Sequence, residues 1–425
     1  MATYSLTLRE NLGRKLTIEE VDNNLLYLDE KSIIGGEFSE IINSKSSVIL
    51  GGVGISPTTS FGTQSTLYGL LGGNQISGGC SNIIGGGGKY NSTCYCGHTY
   101  ISNFPNRITS SCQSSVIGGS YNIIATASAS SIIGGFYNHV DNSGASSIIG
   151  GFLNSVKNGY NSAIVSSFRA CVEGYCSVIV GGHDNSMTRS NTSGIFEGAS
   201  NRIGGTVSDT YSAIIIGGRN NRIISESYQT TVSTIIGSYR SDIKDSAQSS
   251  IFGGARNKVS CSIQSVVIGG TDNQVNVDSR KSGVILGQFN SIECSNYSSI
   301  MGGYCNSIGV NSNSGFSSIV GGKCNKSCNS GYSSIIGGNC NTISCGSCQS
   351  SIVGSHHSTM SNSCNSVIIG GENQTLISCN NTVMLPNLII TGDVSTGTFS
   401  VVNNCNFTGT PTSICIVNGL IVSIS

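Results

Sequence analysis

The sequence predicts an all-β fold, a β-solenoid (β-roll) of about 16-residue coils, with a short N-terminal helix and a small C-terminal β-domain. Three observations carry that expectation. "SSIIGGFYNHV" at Ser130 recurs as "SSIIGGFLNSV" at Ser146, sixteen residues later. Copies then continue along most of the 425-residue chain, fifteen to twenty residues apart. Each copy joins β-branched residues to a Gly-Gly pair, a strand that runs into a corner. A fixed short period marks a solenoid, in which each repeat is one coil and buries its apolar face on its neighbours.

Composition narrows the class. Charged residues are 10% of the chain, with 21 basic against 21 acidic, and there are 58 Gly, four Pro and no Trp. Abundant Ile and Val at zero net charge exclude a disordered chain, and paired Gly excludes collagen. The sequence has no Lys/Arg cluster, so no nucleic-acid partner is expected. It also has no run of about 18 apolar residues to span a bilayer. The first residues lack the apolar core of a signal peptide, so export by the ordinary secretory route is not expected.

Four segments follow. Residues 1–31 are an attachment or capping segment, with a helix over Leu16–Glu30. There Thr17 and Glu20 fit a capping box, and Val21, Leu25 and Leu28 share one face. Residues 32–114 read as irregular coils with insertions, and residues 115–380 as regular repeats. Residues 381–425 have alternating apolar residues, Thr-Gly turns and a hairpin around Asn418-Gly419, a β tip or trimer lock.

Within a repeat, Ser-Ser-Ile-Ile is the first strand and Asn-x-Ile/Val the second. An Asn recurs four residues after the first Gly, at Asn122, Asn138, Asn154, Asn185, Asn201, Asn221, Asn257, Asn273, Asn306, Asn325 and Asn341. Asn bonds local backbone and tolerates the left-handed conformation, so stacking predicts a structural Asn ladder. The two residues after Gly-Gly vary, and are expected to form an exposed recognition row: Phe136, Tyr137, Phe152, His183, Arg219, Tyr239, Arg240 and Tyr304. Most extra residues follow the second strand, which places variable loops on one edge.

Adjacent strand residues point to opposite faces. In Ile132-Ile133, Ile148-Ile149 and Ile335-Ile336 one side chain therefore faces the coil and the other faces out. An uncovered apolar stripe of that length marks an association surface, and a parallel homotrimer is the simplest cover. Coils spaced about 4.8 Å apart would extend near 100 Å.

"SSIIGGFYNHV" and its siblings resemble the head repeats of trimeric autotransporter adhesins, the YadA-like β-roll, over roughly residues 115–375. Related repeats occur in phage and large-virus fibre and tail-fibre proteins. This chain differs in its doubled Gly, its regular Asn and its slightly longer period. "LTIEEVDNN" looks like a stretch near the N-terminus of many phage tail and fibre proteins, and "TVMLPNLIITGDV" resembles the segment that leaves the repeats in such fibres. The resemblance implies a virus or phage structural fibre or adhesin on the virion surface. It would hold a virion or tail attachment protein through its N-terminus and present a host-surface glycan or protein contact. The alternatives are a bacterial trimeric surface adhesin, extracellular or at the cell surface, and a single-chain solenoid that processes polysaccharide.

No catalytic constellation emerges, and neither an enzyme nor a cofactor is expected. The recurring Ser is too regular for a nucleophile, and the Gly-Gly pairs close strands and open no helix as a phosphate loop would. Cys94, Cys96 and His98, with Cys80 and Cys112, have no standard zinc spacing. Cys305, Cys324 and Cys340 stand at one repeat position in successive coils, as free packing thiols or as crosslinks.

Overall fold

The computed structural model describes residues 106–386, apart from 110, 112, 206–208, 228–229 and 310–314. It also describes the strands Lys31–Ile34, Ser47–Leu50, Ser65–Tyr68, Gln75–Ser77, Ser81–Ile84, Ile414–Val417 and Leu420–Ile424. The helix expected over Leu16–Glu30 lies outside the described residues, as do Cys80, Cys94, Cys96, His98 and Cys112. The chain divides into two compact units, 1–227 and 228–425. Each is built from parallel coils, and no helix occurs among the described residues.

The coil from Ser131 to Ser146 shows the plan. Strand Ser131–Ile133 and strand His139–Asp141 form two opposite sides. Single bridging residues, Phe136 and Gly144, form the other two. Left-handed residues turn the four corners at Gly134, Tyr137, Asn142 and Ala145. Each strand pairs in parallel with its copy in the next coil: Ile132 with Ile148, and Val140 with Val156. Unit 2 repeats the plan, with Ile335 of Ser334–Ile336 paired to Ile352. At the C-terminus Ile414–Val417 and Leu420–Ile424 pair antiparallel. The insertions after Ile203, Ile223 and Ile308 all follow the second strand.

The interior is thin and half polar. Ile132 and Val140 are fully buried, and so are Asn138, Ser143 and Ser146 to within 3%. Such polar groups cost free energy unless they are bonded. Here the next coil supplies the bonds. Asn122 Oδ1 accepts the backbone N–H of Asn138 at 3.1 Å, and Asn138 Oδ1 accepts that of Asn154 at 3.0 Å. Asn138 Nδ2 donates to the carbonyls of Gly150 and Gly151 at 3.4 and 3.3 Å. Asn185 with Asn201, Asn257 with Asn273, and Asn306 with Asn325 and Asn341 repeat the ladder. Asn290 belongs to it as well, joining Asn273 to Asn306. Two Ser ladders do the same work: Ser130 Oγ accepts the N–H of Ser146, and Ser146 Oγ donates to the Gly159 carbonyl.

The paired glycines have different reasons to be glycine. A Cβ on Gly134 would meet nothing within 4 Å, and Ser166, Glu197 and Leu286 fill that place in other coils while keeping positive φ. A Cβ on Gly135 would lie 2.3 Å from Asn138 Nδ2 and 2.5 Å from the Gly151 carbonyl oxygen. Ser takes this second position at Ser167, Ser238 and Ser355, and in those coils the Asn three residues later becomes Ala170, Ser241 and Ser358. The Ser hydroxyl then donates to the carbonyl that the Asn amide serves elsewhere: Gly181, Gly253 and Gly370, at 2.7, 2.8 and 2.6 Å.

One coil breaks the apolar row. Ser327 stands in register between Ile308 and Ile343, fully buried, and its Oγ has no hydrogen-bond partner. Ser327→Val is expected to stabilise unit 2 by about 1–2 kcal/mol, because it removes an unbonded hydroxyl and fills apolar space. A higher urea midpoint at unchanged m-value checks this; a lower midpoint would mean the site is already filled.

Candidate interaction surface

The outward face differs sharply between the two strand series. First strands turn their middle residue inward and leave the flanking pair outside, as in Ser131 and Ile133. From Ser115–Ile117 to Val367–Ile369 none of these strands carries a charged residue. Ile132, Ile148 and Ile335 are fully buried, whereas Ile133, Ile149 and Ile336 are 41%, 41% and 46% exposed. Phe196 and Ile216 continue the stripe in unit 1, and Phe252, Ile268, Ile285, Met301 and Ile369 in unit 2. Second strands instead show Asp141, Lys157, Glu173, Arg202, Asp242, Lys258 and Glu293.

The variable residues after Gly-Gly form two rows, where the sequence suggests one. In unit 1, Phe136, Phe152, Phe168 and His183 are successive bridging residues, followed by Ala199 and Arg219. In unit 2, Tyr239 begins the corresponding row, and Tyr304 lies between Gln288 and Lys323. Tyr137 and Arg240 occupy the neighbouring left-handed corner. Phe136, Phe152 and Phe168 stack at 5.7 and 5.5 Å with rings 9° from parallel. Their faces therefore cover one another, and Arg169 lies over the Phe168 ring at 4.9 Å. Arg240 lies over the Tyr239 ring at 5.1 Å.

Corner residues pair from coil to coil. Tyr121 stacks on Tyr137 at 4.6 Å, Arg169 binds Asp184 at 2.7 Å, and Arg256 grips both carboxylate oxygens of Asp272 at 2.8 and 2.6 Å. Hydrogen bonds from His183 and then Arg169 hold the Asp184 carboxyl below the usual carboxylate range, and Arg256 does the same to Asp272. Stacking places equivalent side chains about 4.8 Å apart, so runs of like charge would repel. That is a physical reason for the low charge content and for the alternating signs here.

Cysteines cluster in unit 2. Cys305, Cys324 and Cys340 are free, half-buried and left-handed at the same corner position in successive coils. Burial, and then the adjoining Cys324 thiol, push the Cys305 thiol up. Among the described residues no three His, Cys, Asp or Glu side chains converge to hold a metal ion. No described helix is long and apolar enough to cross a membrane.

No family model matches the chain, and no curated protein does. Among solved structures it is matched to a chain named as an acetyltransferase from Desulfovibrio desulfuricans G20. That match has 7% identity over 64% of each chain and a TM-score of 0.12, too low to carry an argument.

Proposed function

We propose that this protein is a structural fibre or adhesin of a virus or phage particle, a parallel homotrimer of β-solenoids that displays host-attachment surfaces. The observation that carries this reading is the uncharged Ile, Val and Phe stripe on the outer side of the first strands in each unit. A surface of that kind is an association surface. A second copy of the same chain is the partner whose side chains repeat at the same spacing, and cyclic symmetry lets three stripes cover one another. The polar second-strand face and the Phe136 and Tyr239 rows would then point outward, available to a host-surface glycan or protein. The N-terminal segment is the proposed contact to a virion or tail protein, on the resemblance of "LTIEEVDNN". The C-terminal hairpin is the proposed tip or trimer lock. The same surface logic fits a bacterial trimeric adhesin at a cell surface. A monomeric solenoid that processes polysaccharide would leave the stripe uncovered.

Light scattering and sedimentation of the full chain test the reading. A mass near three times 43.9 kDa with a high frictional ratio is expected. A monomer would overturn the trimeric fibre and bring the single-chain alternative forward.

A further inference from the structure

Corner pairs join successive coils by ring stacking at Tyr121 and Tyr137 and by ion pairing at Arg169–Asp184 and Arg256–Asp272. The same corner position in the coils of Gly302 and Gly321 holds Cys305 and Cys324, with φ of 55° and 54°. The Cys324 N–H donates to the Tyr304 carbonyl at 2.8 Å, which stacks the two Cys backbones. Coil spacing of about 4.8 Å falls within the roughly 4.4–6.8 Å Cα separation of disulfides. The Cys324 thiol adjoins that of Cys305 and, after burial, pushes it up. Cys340 is differently occupied, because its thiol donates to Asn339 Oδ1 at 3.3 Å.

We infer that Cys305 and Cys324 form an oxidisable clasp, a disulfide-forming site between adjacent coils that takes a small-molecule disulfide as its oxidant. One of the two thiols, as its thiolate, attacks one sulfur of oxidised glutathione and expels one glutathione thiolate, leaving a mixed disulfide. The thiolate of the other cysteine then attacks the protein sulfur of that mixed disulfide and releases the second glutathione. The two protein thiols give up two electrons and two protons, and one glutathione disulfide becomes two thiols.

The location gives the clasp a purpose. It closes a coil of 19 residues that carries the insertion after Ile308, and the following coil has Ser327 in place of a core apolar residue. A crosslink there would hold unit 2 together where its own period is longest, 19 residues, and where a polar residue interrupts its apolar core. The corner lies between the bridging row and the second strand, away from the first-strand stripe. The clasp therefore stands or falls independently of the trimer.

The test uses the full chain, purified reduced and incubated with oxidised glutathione, followed by non-reducing tryptic mapping. Cleavage after Lys281, Lys323 and Lys326 separates Cys305 from Cys324 onto different peptides. The expected result is the peptide 282–323 joined to 324–326 through Cys305, with loss of two free thiols per chain and no new intermolecular species. The same link should persist in Cys340→Ser and vanish in Cys305→Ser. Amide exchange in strand Ser318–Val320 should slow when the wild-type chain is oxidised. Separate glutathione adducts on Cys305 and Cys324, a bond to Cys340, or a link between chains would each overturn the proposal.

Discussion

Gly135→Ser is expected to cost about 2–4 kcal/mol on its own, and Asn138→Ser placed beside it is expected to return a good part of that loss. The cost has two sources. Gly135 has a φ of 81°, a region that strains any residue with a Cβ. The added Cβ would also press on Asn138 Nδ2 at 2.3 Å and on the Gly151 carbonyl at 2.5 Å. Removing the Asn side chain clears the first contact. It also frees the Gly150 carbonyl, which the new Ser hydroxyl can then serve as Ser167 serves Gly181. The chain has already made this exchange, since Ser167, Ser238 and Ser355 lie outside the left-handed region and precede Ala170, Ser241 and Ser358. Those coils show that the corner has a second backbone solution, open once the Asn is gone.

A double-mutant cycle measures the coupling, with native-state amide exchange in strands Ser131–Ile133 and Ser147–Ile149 as the local readout. A favourable interaction energy above about 1 kcal/mol is expected. Simple additivity of the two substitutions would sink the argument. Gly134→Ser serves as the control. Its Cβ would meet nothing, so about 1 kcal/mol of backbone strain is all it should lose.

That pair of glycines also shows where the sequence was legible and where it was not. The period, the two strand segments and the recurring Asn were readable because solenoid stacking forces each coil to repeat its core-facing residues. Ile132 inside and Ile133 outside follow from the alternation of a strand. The distinction between Gly134 and Gly135 was not readable, since it depends on what the next coil brings near each Cα. The buried Ser ladders are not legible because Ser143 looks like a solvent-facing turn residue and Ser146 like an ordinary strand start until coil-to-coil hydrogen bonds are counted. Asn290 escaped because its coil has Leu286 where the first Gly stands, and the Gly-Gly landmark is lost. The recognition row read as one line and is two. A left-handed residue such as Tyr137 turns the chain between the bridging residue and the second strand, which separates Phe136 from Tyr137 by a corner.

The last expected result concerns the surface that the interior plan leaves over. Ile149→Lys in unit 1 and Ile285→Lys in unit 2 should leave the coils folded and abolish self-association. Both residues face out, 41% and 37% exposed, so a lysine in the isolated chain keeps its ammonium in water. Strand propensity limits the intrinsic cost to about 1 kcal/mol or less at each place. In a trimer closed on these stripes, each substitution brings three ammonium groups together and removes them from water. An unpaired buried charge costs several kcal/mol. Sedimentation should therefore show the mass fall to that of one chain, with the circular dichroism spectrum unchanged. Thr375→Lys, exposed on the polar second-strand side, should leave the assembly at full mass. If Ile149→Lys and Ile285→Lys keep the wild-type mass while Thr375→Lys lowers it, the polar sheet is the interface. The uncharged stripe would then need another explanation.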